Sequence, residues 1–228
     1  MKVAISIVIP CFDHYGLTDD LLHDLQRNEE ANITEIVVVD DGSVERETIA
    51  GLEYWQGQYD KLRVLHIPQN TGFTLAANAG LRWAIGDIKV LISNDVRIYA
   101  PFLNDVIALL IKKPNYLVGN LMQTGDTGWN AFVANGKKIT FIYLEGYFLA
   151  ARKQTWEALG YFDERYAPGD VEDIDLSTKA MNTPGFDIVA LYSPGIVHLG
   201  AQTTGYNDAR LKNTEENKRK FAKKWLKS

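Results

Sequence analysis

Short apolar segments, each followed by polar residues, recur along the first half of the chain. Residues 3–10 read VAISIVIP and residues 35–40 read EIVVVD. Nearly unbroken runs of β-branched residues are typical of parallel strands that are covered on both faces. Residues 61–67 and 89–93 carry the same signal, so a set of four strands is predicted. We expect Pro10 to end the first strand, because proline has no N–H to donate to a ladder.

Helical periodicity separates these predicted strands. Residues 17–27, 47–59 and 74–85 are predicted helices, the first of them with leucines at helical spacing. Strands that alternate with helices predict a parallel sheet with right-handed crossovers. After Asp95 the pattern is less regular, with a predicted helix at 101–112, short mixed strands within 138–148 and a late strand at 187–191. We therefore expect one α/β domain with a Rossmann-like nucleotide-binding half and a more variable half.

Composition and charge exclude several classes of protein. The chain has 228 residues, 46% of them hydrophobic, and a net charge of −5, so we expect a globular domain that does not bind nucleic acid. No segment approaches the roughly 18 to 20 apolar residues of a membrane span. The first apolar run continues into Asp13 and His14 without a small-residue cleavage site, so we interpret it as a strand. The single Cys11 cannot form an internal disulfide, and these features predict a cytoplasmic protein.

The end of the chain has a different character from the rest. Residues 211–228 are predicted to form a basic amphipathic helix after a single domain at 1–210. Its apolar face carries Phe221, Ala222, Trp225 and Leu226. Three alternatives follow: the helix docks on the domain, lies on an anionic membrane surface, or helps an oligomer form.

Polar residues follow each predicted strand of the first half. The residues after the four strands are Asp13, preceded by Phe12; Asp40, Asp41, Gly42 and Ser43; Asn70, Thr71 and Gly72; and Asn94 with Asp95. Ligands of open parallel sheets bind beyond the carboxyl ends of the strands, so these residues are predicted to meet at one rim. An Asp-Asp-Gly-Ser segment is also typical of a simple turn, and that alternative stays open.

The same rim lacks the glycine-rich signatures of dinucleotide folds and phosphate loops, which argues against both classes. Acidic groups repel a nucleotide phosphate unless a divalent cation lies between them. Carboxylate and phosphate oxygens suit Mg²⁺ or Mn²⁺, and Asp95 is the best-placed carboxylate.

Six segments resemble glycosyltransferase family 2, the GT-A fold, nucleotide-sugar-dependent inverting transferases. They are SIVIPCFD, VVVDDGS, NTGFTLAANAG, LISNDV, LEGYFLAARKQTWEALGYFDERYAPGDVEDIDLSTKA and VHLG, in the family's order. The resemblance covers residues 3–200, nearly the whole chain. It implies a mixed, mostly parallel sheet flanked by helices.

The resemblance also implies a donor site. Pro10 and Phe12 would lie along the nucleobase, and Asp41 would accept a hydrogen bond from a pyrimidine. The remaining nucleotide-binding residues would be Asn70, Gly72 and Asn94. The family's D-x-D metal motif reads Asn94-Asp95-Val96 here, so one acid is absent. Asp95 would then bind the metal together with His198, although a histidine after a strand also has ordinary structural uses.

The acidic segment GDVEDIDL, residues 169–176, supplies the predicted catalytic residues. Inverting transfer needs a general base for the acceptor hydroxyl, and the resemblance assigns that role to Asp173. Glu172 would bind the acceptor or orient Asp173. Alternatively these acids cap the following helix, whose N-terminus favours carboxylates. Trp129, Trp156 and Tyr161 are candidates to stack on a sugar, with core packing favoured for Trp156.

The predicted activity is inverting transfer of a sugar from a nucleotide-diphosphate donor, a UDP-sugar above all, with Mn²⁺ or Mg²⁺. The acceptor would be a hydroxyl of a saccharide, a lipid-linked molecule or a protein, with peripheral membrane contact through the C-terminal helix as one option. Two alternatives remain: a sugar nucleotidyltransferase and a non-catalytic nucleotide-sugar or carbohydrate-binding module. The chain lacks the glycine-rich basic loop that is usual in sugar nucleotidyltransferases, which argues against that class. Asn94 in the metal motif keeps the non-catalytic binding module open.

Overall fold

The computed structural model describes residues 3–125, 132–134, 137–200, 202, 205 and 207–226. The strands are β1 (Ile5–Cys11), β2 (Glu35–Asp41), β3 (Leu62–Ile67), β4 (Ile88–Ile92), β5 (Val96–Ile98), β6 (Tyr116–Gln123), β7 (Val133–Ala134), β8 (Lys137–Lys138), β9 (Ile142–Arg152), β10 (Asp187–Ala190) and β11 (Ile196–His198). The helices are α1 (Tyr15–Glu29), α2 (Arg46–Gln58), α3 (Phe73–Trp83), α4 (Leu103–Lys112), α5 (Lys153–Leu159), α6 (Glu172–Asn182) and α7 (Asp208–Trp225), with a 3-10 turn at Glu164–Tyr166.

Seven strands form one sheet in the order β10-β6-β9-β4-β1-β2-β3. The pairs β3/β2, β2/β1, β1/β4 and β10/β6 are parallel. Strand β9 is antiparallel to both of its neighbours, β4 and β6, so it alone opposes the direction of the sheet. The carboxyl ends of β1, β2, β3 and β4 therefore lie at the same edge, as the sequence predicts.

Both faces of the sheet are covered, which explains the unbroken apolar strands. On one face, Ile7 and Ile9 of β1 share a core with α1, α2 and α4. On the other face, Val8 packs in a second core with α3, α5 and α6. Alternate residues of one strand enter different cores, so β1 is apolar on both faces except for Ser6, whose buried hydroxyl accepts from the N–H of Gly86 at 2.7 Å.

The expected end of the first strand at Pro10 is wrong by one residue. Pro10 lies within β1 and is paired with Val39 of β2. On the other side, the pairing of β1 with β4 stops at Val8 and Leu91, so no ladder partner is lost where proline lacks its N–H. The short strands expected within 138–148 are also corrected, because Ile142–Arg152 forms one strand of 11 residues. Antiparallel neighbours on both sides support its length.

A separate two-stranded sheet lies beside the end of β4. Strand β11 pairs antiparallel with β5, and His198 is opposite Val96. The backbone N–H of Leu199 donates to the carbonyl of Asp95 at 2.9 Å and continues this pairing. The pairing brings His198 beside Asp95 although the two residues are far apart in sequence.

The C-terminal helix packs on the domain. Phe221 is fully buried against Phe132 and Phe141, with ring centroids 5.0 and 4.8 Å away. Lys224 Nζ lies 2.7 Å from an oxygen of the buried Asp175. The structure thus shows the docking alternative for this helix. It begins at Asp208, three residues before the expected start, because Asn207 caps its first turn through the N–H of Arg210. No helix in the described part of the chain has the length and apolar character needed to cross a membrane.

Removal of the Phe221 ring tests how firmly α7 belongs to the core. Phe221→Ala is expected to lower the free energy of unfolding by about 3 to 5 kcal/mol, because it leaves a cavity among aromatic rings. Leu211→Ala is the matched control, since Leu211 lies on the same helix and is 46% exposed. Its effect should stay within about 0.5 kcal/mol in urea unfolding. Equal, small effects would contradict integration of α7 into the core.

Candidate functional site

One cavity of about 860 Å³ opens at the carboxyl edge of the sheet. All of the residues predicted for the site line it: Pro10, Phe12, Asp41, Asn70, Gly72, Asn94, Asp95, Glu172, Asp173 and His198. The cavity extends from the ends of β1 and β2 past β4 to the start of α6 and one face of α7. The strand ends therefore form a shared cleft rather than separate turns.

At one end of the cleft, the two neighbouring acids of β2 face different surroundings. Asp41 lines the cavity and accepts hydrogen bonds from the N–H of Thr71 at 2.9 Å and from that of Gly72 at 2.7 Å. Asp40 instead accepts from the N–H of Ser43 at 3.0 Å and lies 2.9 Å from His66 Nδ1. Asp41 therefore shapes the loop beside the cavity, whereas Asp40 holds its own turn.

Gly72 is required at the start of α3 for two reasons. Its φ of +88° lies in the left-handed region, which residues with a side chain rarely adopt. A Cβ atom there would also stand 2.5 Å from the carbonyl oxygen of Pro168. The loop after β3 thus closes directly on the 167–171 segment that precedes α6, and this contact joins the two ends of the cleft.

The middle of the cleft holds an aspartate and histidine pair. His198 Nε2 lies 3.2 Å from Asp95 Oδ1, and the N–H of Gln202 donates to Asp95 Oδ2 at 3.2 Å. Burial alone would raise the pKa of Asp95, but the imidazole and this N–H hold it below its ordinary value. Tyr147 stacks on the His198 ring with centroids 4.3 Å apart, which fixes the imidazole plane.

The donor set of this pair fits only one kind of metal site. No group of three or more His, Cys, Asp or Glu side chains in the described ranges is arranged around a common point. A cation held by protein ligands alone is therefore not supported there. One carboxylate and one imidazole do fit Mn²⁺ or Mg²⁺ when phosphate oxygens and water complete the shell. Asn94, where the family motif has an acid, is buried and lies 3.4 Å from the Thr18 hydroxyl.

At the other end of the cleft, α6 presents adjacent carboxylates. Asp173 Oδ2 accepts from the N–H of Gly146 at 3.0 Å, and its Oδ1 accepts from the N–H of Ile174 at 2.8 Å. Burial raises the pKa of Asp173 to about 7, and the charges of Asp170 and Glu145 add to the rise against these two hydrogen bonds. A carboxylate with this pKa both accepts and releases a proton near neutral pH.

Glu172 has a different environment from its neighbour. It is buried, and its Oε2 has no hydrogen-bond partner among the described residues. Burial, followed by the charges of Asp173 and Asp170, raises the pKa of Glu172 well above its ordinary value. Helix capping alone does not account for a buried carboxylate oxygen without a donor.

The structure adds a wall that the sequence interpretation missed. Arg210, Asn213, Thr214 and Lys218 of α7 line the cavity near Glu172. Together with Asn217 they occupy helical spacing, so a polar stripe along 210–218 was the available signal. The sequence prediction for this helix used only its apolar face. Arg210 and Lys218 are cations in a cleft whose other charged groups are mostly acidic.

The aromatic candidates for sugar stacking separate clearly. Trp156 is fully buried and donates its indole N–H to the carbonyl of Lys89 at 3.2 Å, which confirms core packing. Tyr161 does not line the cleft. Trp129 lies outside the described residues. Glu145 and Tyr147 do line the cleft, on β9.

Sequence comparison identifies the family. The family model described as glycosyl transferase family 2 matches residues 6–168. The chain belongs to glycosyltransferase family 2. The matched residues include the ends of β1 to β4 and stop just before Glu172, so the acids of α6 lie beyond the match.

Curated relatives of this family 2 chain are distant. An N-acetylglucosaminyltransferase of Mesorhizobium japonicum is 29% identical over 121 residues, which are 52% of this chain and 28% of that protein. Polypeptide N-acetylgalactosaminyltransferase 5 of Rattus norvegicus is 23% identical over 234 residues, covering 89% of this chain and 25% of that protein. The matched segments thus cover about a quarter of the length of each relative.

Solved structures confirm the expected GT-A fold for the family 2 chain. The mannosyltransferase PcManGT from Pyrobaculum calidifontis, in complex with GDP-Man and Mn²⁺, superposes with a TM-score of 0.73 at 18% identity, covering 100% of this chain and 66% of that one. GalNAc-T7 with UDP, GalNAc and Mn²⁺ gives 0.76 at 13% identity, covering 98% and 48%. At these identities the likeness concerns the fold.

The unpartnered Glu172 oxygen predicts a pH-dependent stability difference. Because its pKa is raised in the folded state, the unfolded chain loses this proton at lower pH, and stability falls as pH rises above the ordinary glutamate pKa of about 4.3. Glu172→Gln should therefore match the wild-type Tm at about pH 4 and exceed it at pH 8. Exposed Glu53→Gln is the control and should show no such trend. A lower Tm of Glu172→Gln at pH 8 would contradict the assignment.

Proposed function

We propose that this protein transfers a sugar, with inversion, from a nucleoside-diphosphate donor to an acceptor hydroxyl. The donor favoured is a UDP-sugar, and the cation is Mn²⁺ or Mg²⁺. The observation that carries the proposal is that one cleft is lined by the Asp41 loop, by the Asp95 and His198 pair and by the carboxylate of Asp173. Membership of family 2 supports the transferase class.

The two ends of the cleft suit the two substrates. Pro10 and Phe12 offer an apolar edge and an aromatic face to a nucleobase, beside the Asp41 carboxylate that accepts hydrogen bonds. Asn70 and Gly72 border the nucleoside. Asp173 lies at the other end, where a hydroxyl of the acceptor would approach. A UDP-sugar is favoured because a pyrimidine N–H would donate to Asp41. The solved structure of GalNAc-T7 contains UDP, and one curated relative is named N-acetylglucosaminyltransferase.

The chemical step is a single displacement at the anomeric carbon. Asp173 takes the proton of the acceptor hydroxyl while the acceptor oxygen bonds to the anomeric carbon. The bond from that carbon to the donor phosphate oxygen breaks, and the nucleoside diphosphate leaves with the electron pair. Attack on the face opposite the leaving group inverts the configuration. Glu172 would bind the acceptor near Asp173, since its buried Oε2 has no hydrogen-bond partner among the described residues.

Asp95 and His198 would hold the divalent cation, and phosphate oxygens of the donor together with water would suit its other ligand positions. When bound, the cation offsets the negative charge that develops on the leaving diphosphate. The low pKa of Asp95 keeps its carboxylate ionised for this task across the neutral range.

Nucleotide binding tests the metal site. The wild-type protein is expected to gain several degrees in Tm with UDP and Mn²⁺ together, since a ligand at about 100 times its Kd adds about 2.7 kcal/mol. Asp95→Ala should lose the part of the shift that requires Mn²⁺, and His198→Ala should lose much of it. Asp105→Asn, an exposed carboxylate on α4, is the control and should keep the whole shift. An intact Mn²⁺-dependent shift in Asp95→Ala would place the cation elsewhere.

Turnover tests the base. The assay measures release of nucleoside diphosphate from UDP-N-acetylglucosamine, UDP-N-acetylgalactosamine and GDP-mannose with Mn²⁺ and water as acceptor. Asp173→Asn should lower kcat by about 10²-fold or more, because an amide cannot take the proton. The wild-type kcat should fall as pH drops through about 7, the pKa to which burial raises Asp173. Asp105→Asn should keep both the rate and the pH profile.

The binding and turnover assays, together with an assay for sugar-nucleotide formation, separate the two alternative functions. Mn²⁺-dependent binding of UDP without sugar transfer or release of nucleoside diphosphate from these donors, unaffected by Asp173→Asn, would favour a non-catalytic nucleotide-sugar-binding module. Formation of a sugar nucleotide from a sugar phosphate and UTP would identify a nucleotidyltransferase. Either outcome overturns the proposed transferase.

A further inference from the structure

The turn that precedes the candidate base has an unfavourable backbone conformation. Asp170 and Val171 are consecutive non-glycine residues at φ values of +73° and +78°. The left-handed region is sterically costly for residues with a Cβ, and most costly for a β-branched residue such as valine. Val171 directly precedes α6, whose first two residues are Glu172 and Asp173. Some other part of the molecule must hold this turn.

Helix α7 holds the turn through its polar stripe. Arg210 Nη2 lies 2.8 Å from Asp170 Oδ1, and the Thr214 hydroxyl donates to Asp170 Oδ2 at 2.8 Å. Asn217 Nδ2 donates to the carbonyl of Gly169 at 2.8 Å and to that of Asp170 at 3.0 Å. Asn213 Nδ2 also donates to the Gly169 carbonyl, at 2.7 Å. Four side chains from three consecutive turns of α7 thus hydrogen-bond to residues 169–170.

These contacts are close enough to affect the geometry of Asp173. The carbonyl of Val171 accepts the N–H of Asp175 at 2.9 Å, so the turn sets where α6 begins. Asp173 then reaches the N–H of Gly146 on β9 at 3.0 Å. A shift of the turn would move Asp173 along β9, and misplacement by about 1 Å is enough to slow an enzymatic reaction by about 10²-fold.

We propose that Arg210 and Asp170 are a positioning pair, which holds the left-handed turn before α6 and thereby orients Asp173 for proton transfer from the acceptor. The proposal rests on the proposed function, in which Asp173 is the base. Neither member of the pair needs to touch the reacting atoms. The alternative is that the pair only anchors α7 to the domain, as Lys224 does through Asp163 and Asp175.

The charges of the pair also face the candidate base. Asp170 raises the pKa of both Glu172 and Asp173, and Arg210 lowers that of Glu172. Among the described residues, the ionisable groups that line the cleft with Asp173 include Glu172 on α6, Glu145 and Tyr143 on β9, Asp170 on the turn, Arg210 and Lys218 on α7, and Asp41, Asp95 and His198 at the strand ends. Loss of either partner therefore changes the field at Asp173 in a known direction.

Three variants separate positioning from anchoring. Arg210→Met leaves the Asp170 charge unbalanced, so the acid limb of the kcat profile should move to higher pH. Asp170→Asn removes a negative charge, so the limb should move to lower pH. Both should lower the plateau kcat by about 10- to 100-fold with the donor KM within about two-fold, because the turn is no longer held. Arg210→Lys keeps the charge without the two-point contact and should restore the wild-type limb with only part of the rate.

Lys224→Met is the matched control. It removes another ion pair between α7 and the domain, and Lys224 does not line the cleft. We expect a loss of Tm similar to that of Arg210→Met, with kcat and the pH profile unchanged. If Arg210→Met loses only Tm, the pair anchors α7 and the positioning proposal is wrong. If Asp173→Asn keeps its rate, the proposed base is wrong instead, so the two failures are distinguishable.

A measurement without substrate gives an independent result. Hydrogen exchange followed by mass spectrometry should show faster exchange in peptides that cover residues 169–173 in Arg210→Met, whereas Lys224→Met should leave those peptides protected, because its partner Asp175 lies outside them. Unchanged exchange in Arg210→Met would show that the turn does not depend on the pair, and would overturn the proposal even if no donor were hydrolysed.

Discussion

Burial of an apolar sheet on both faces is the constraint on which the rest of the structure depends. Residues of β1 alternate between two cores, one formed with α1, α2 and α4 and the other with α3, α5 and α6. In β2 and β4 the polar side chains that line the cleft then come at or just after the carboxyl ends of the strands. Six of the seven strands of the sheet point the same way, so these ends lie together and form a single cleft.

Crowding of carboxylates in that cleft has opposite effects at its two ends. Asp95 faces an imidazole and a backbone N–H, which lower its pKa. Asp173 and Glu172 face other acids in a buried position, which raises theirs. One sheet edge thus holds a carboxylate that stays ionised for a cation and a carboxylate poised to take a proton, a division that environment produces between identical side chains.

Local pattern was sufficient for the elements of the first half, where apolar runs alternate with helical periodicity. The apolar runs predicted β1 to β4 within a residue or two, and the helices between them followed from periodicity. The long strand Ile142–Arg152 was interpreted as short strands, because its pairing with β4 and β6 depends on contacts across the sheet. Pro10 was expected to end β1 for the same reason, since only the register shows that its missing N–H falls where the ladder to β4 has ended.

The amino-acid sequence by itself determined the α/β alternation, the acidic strand ends and, through its motifs, the family. Each of these depends on residues near one another along the chain. Only the tertiary structure decided that His198 lies beside Asp95, since the pairing of β11 with β5 joins segments about a hundred residues apart. It also decided that Arg210 of α7 forms an ion pair with Asp170 in the turn before α6. Such contacts depend on how elements pack, and the spacing of residues in the sequence does not encode the direction in which a distant helix presents its polar face.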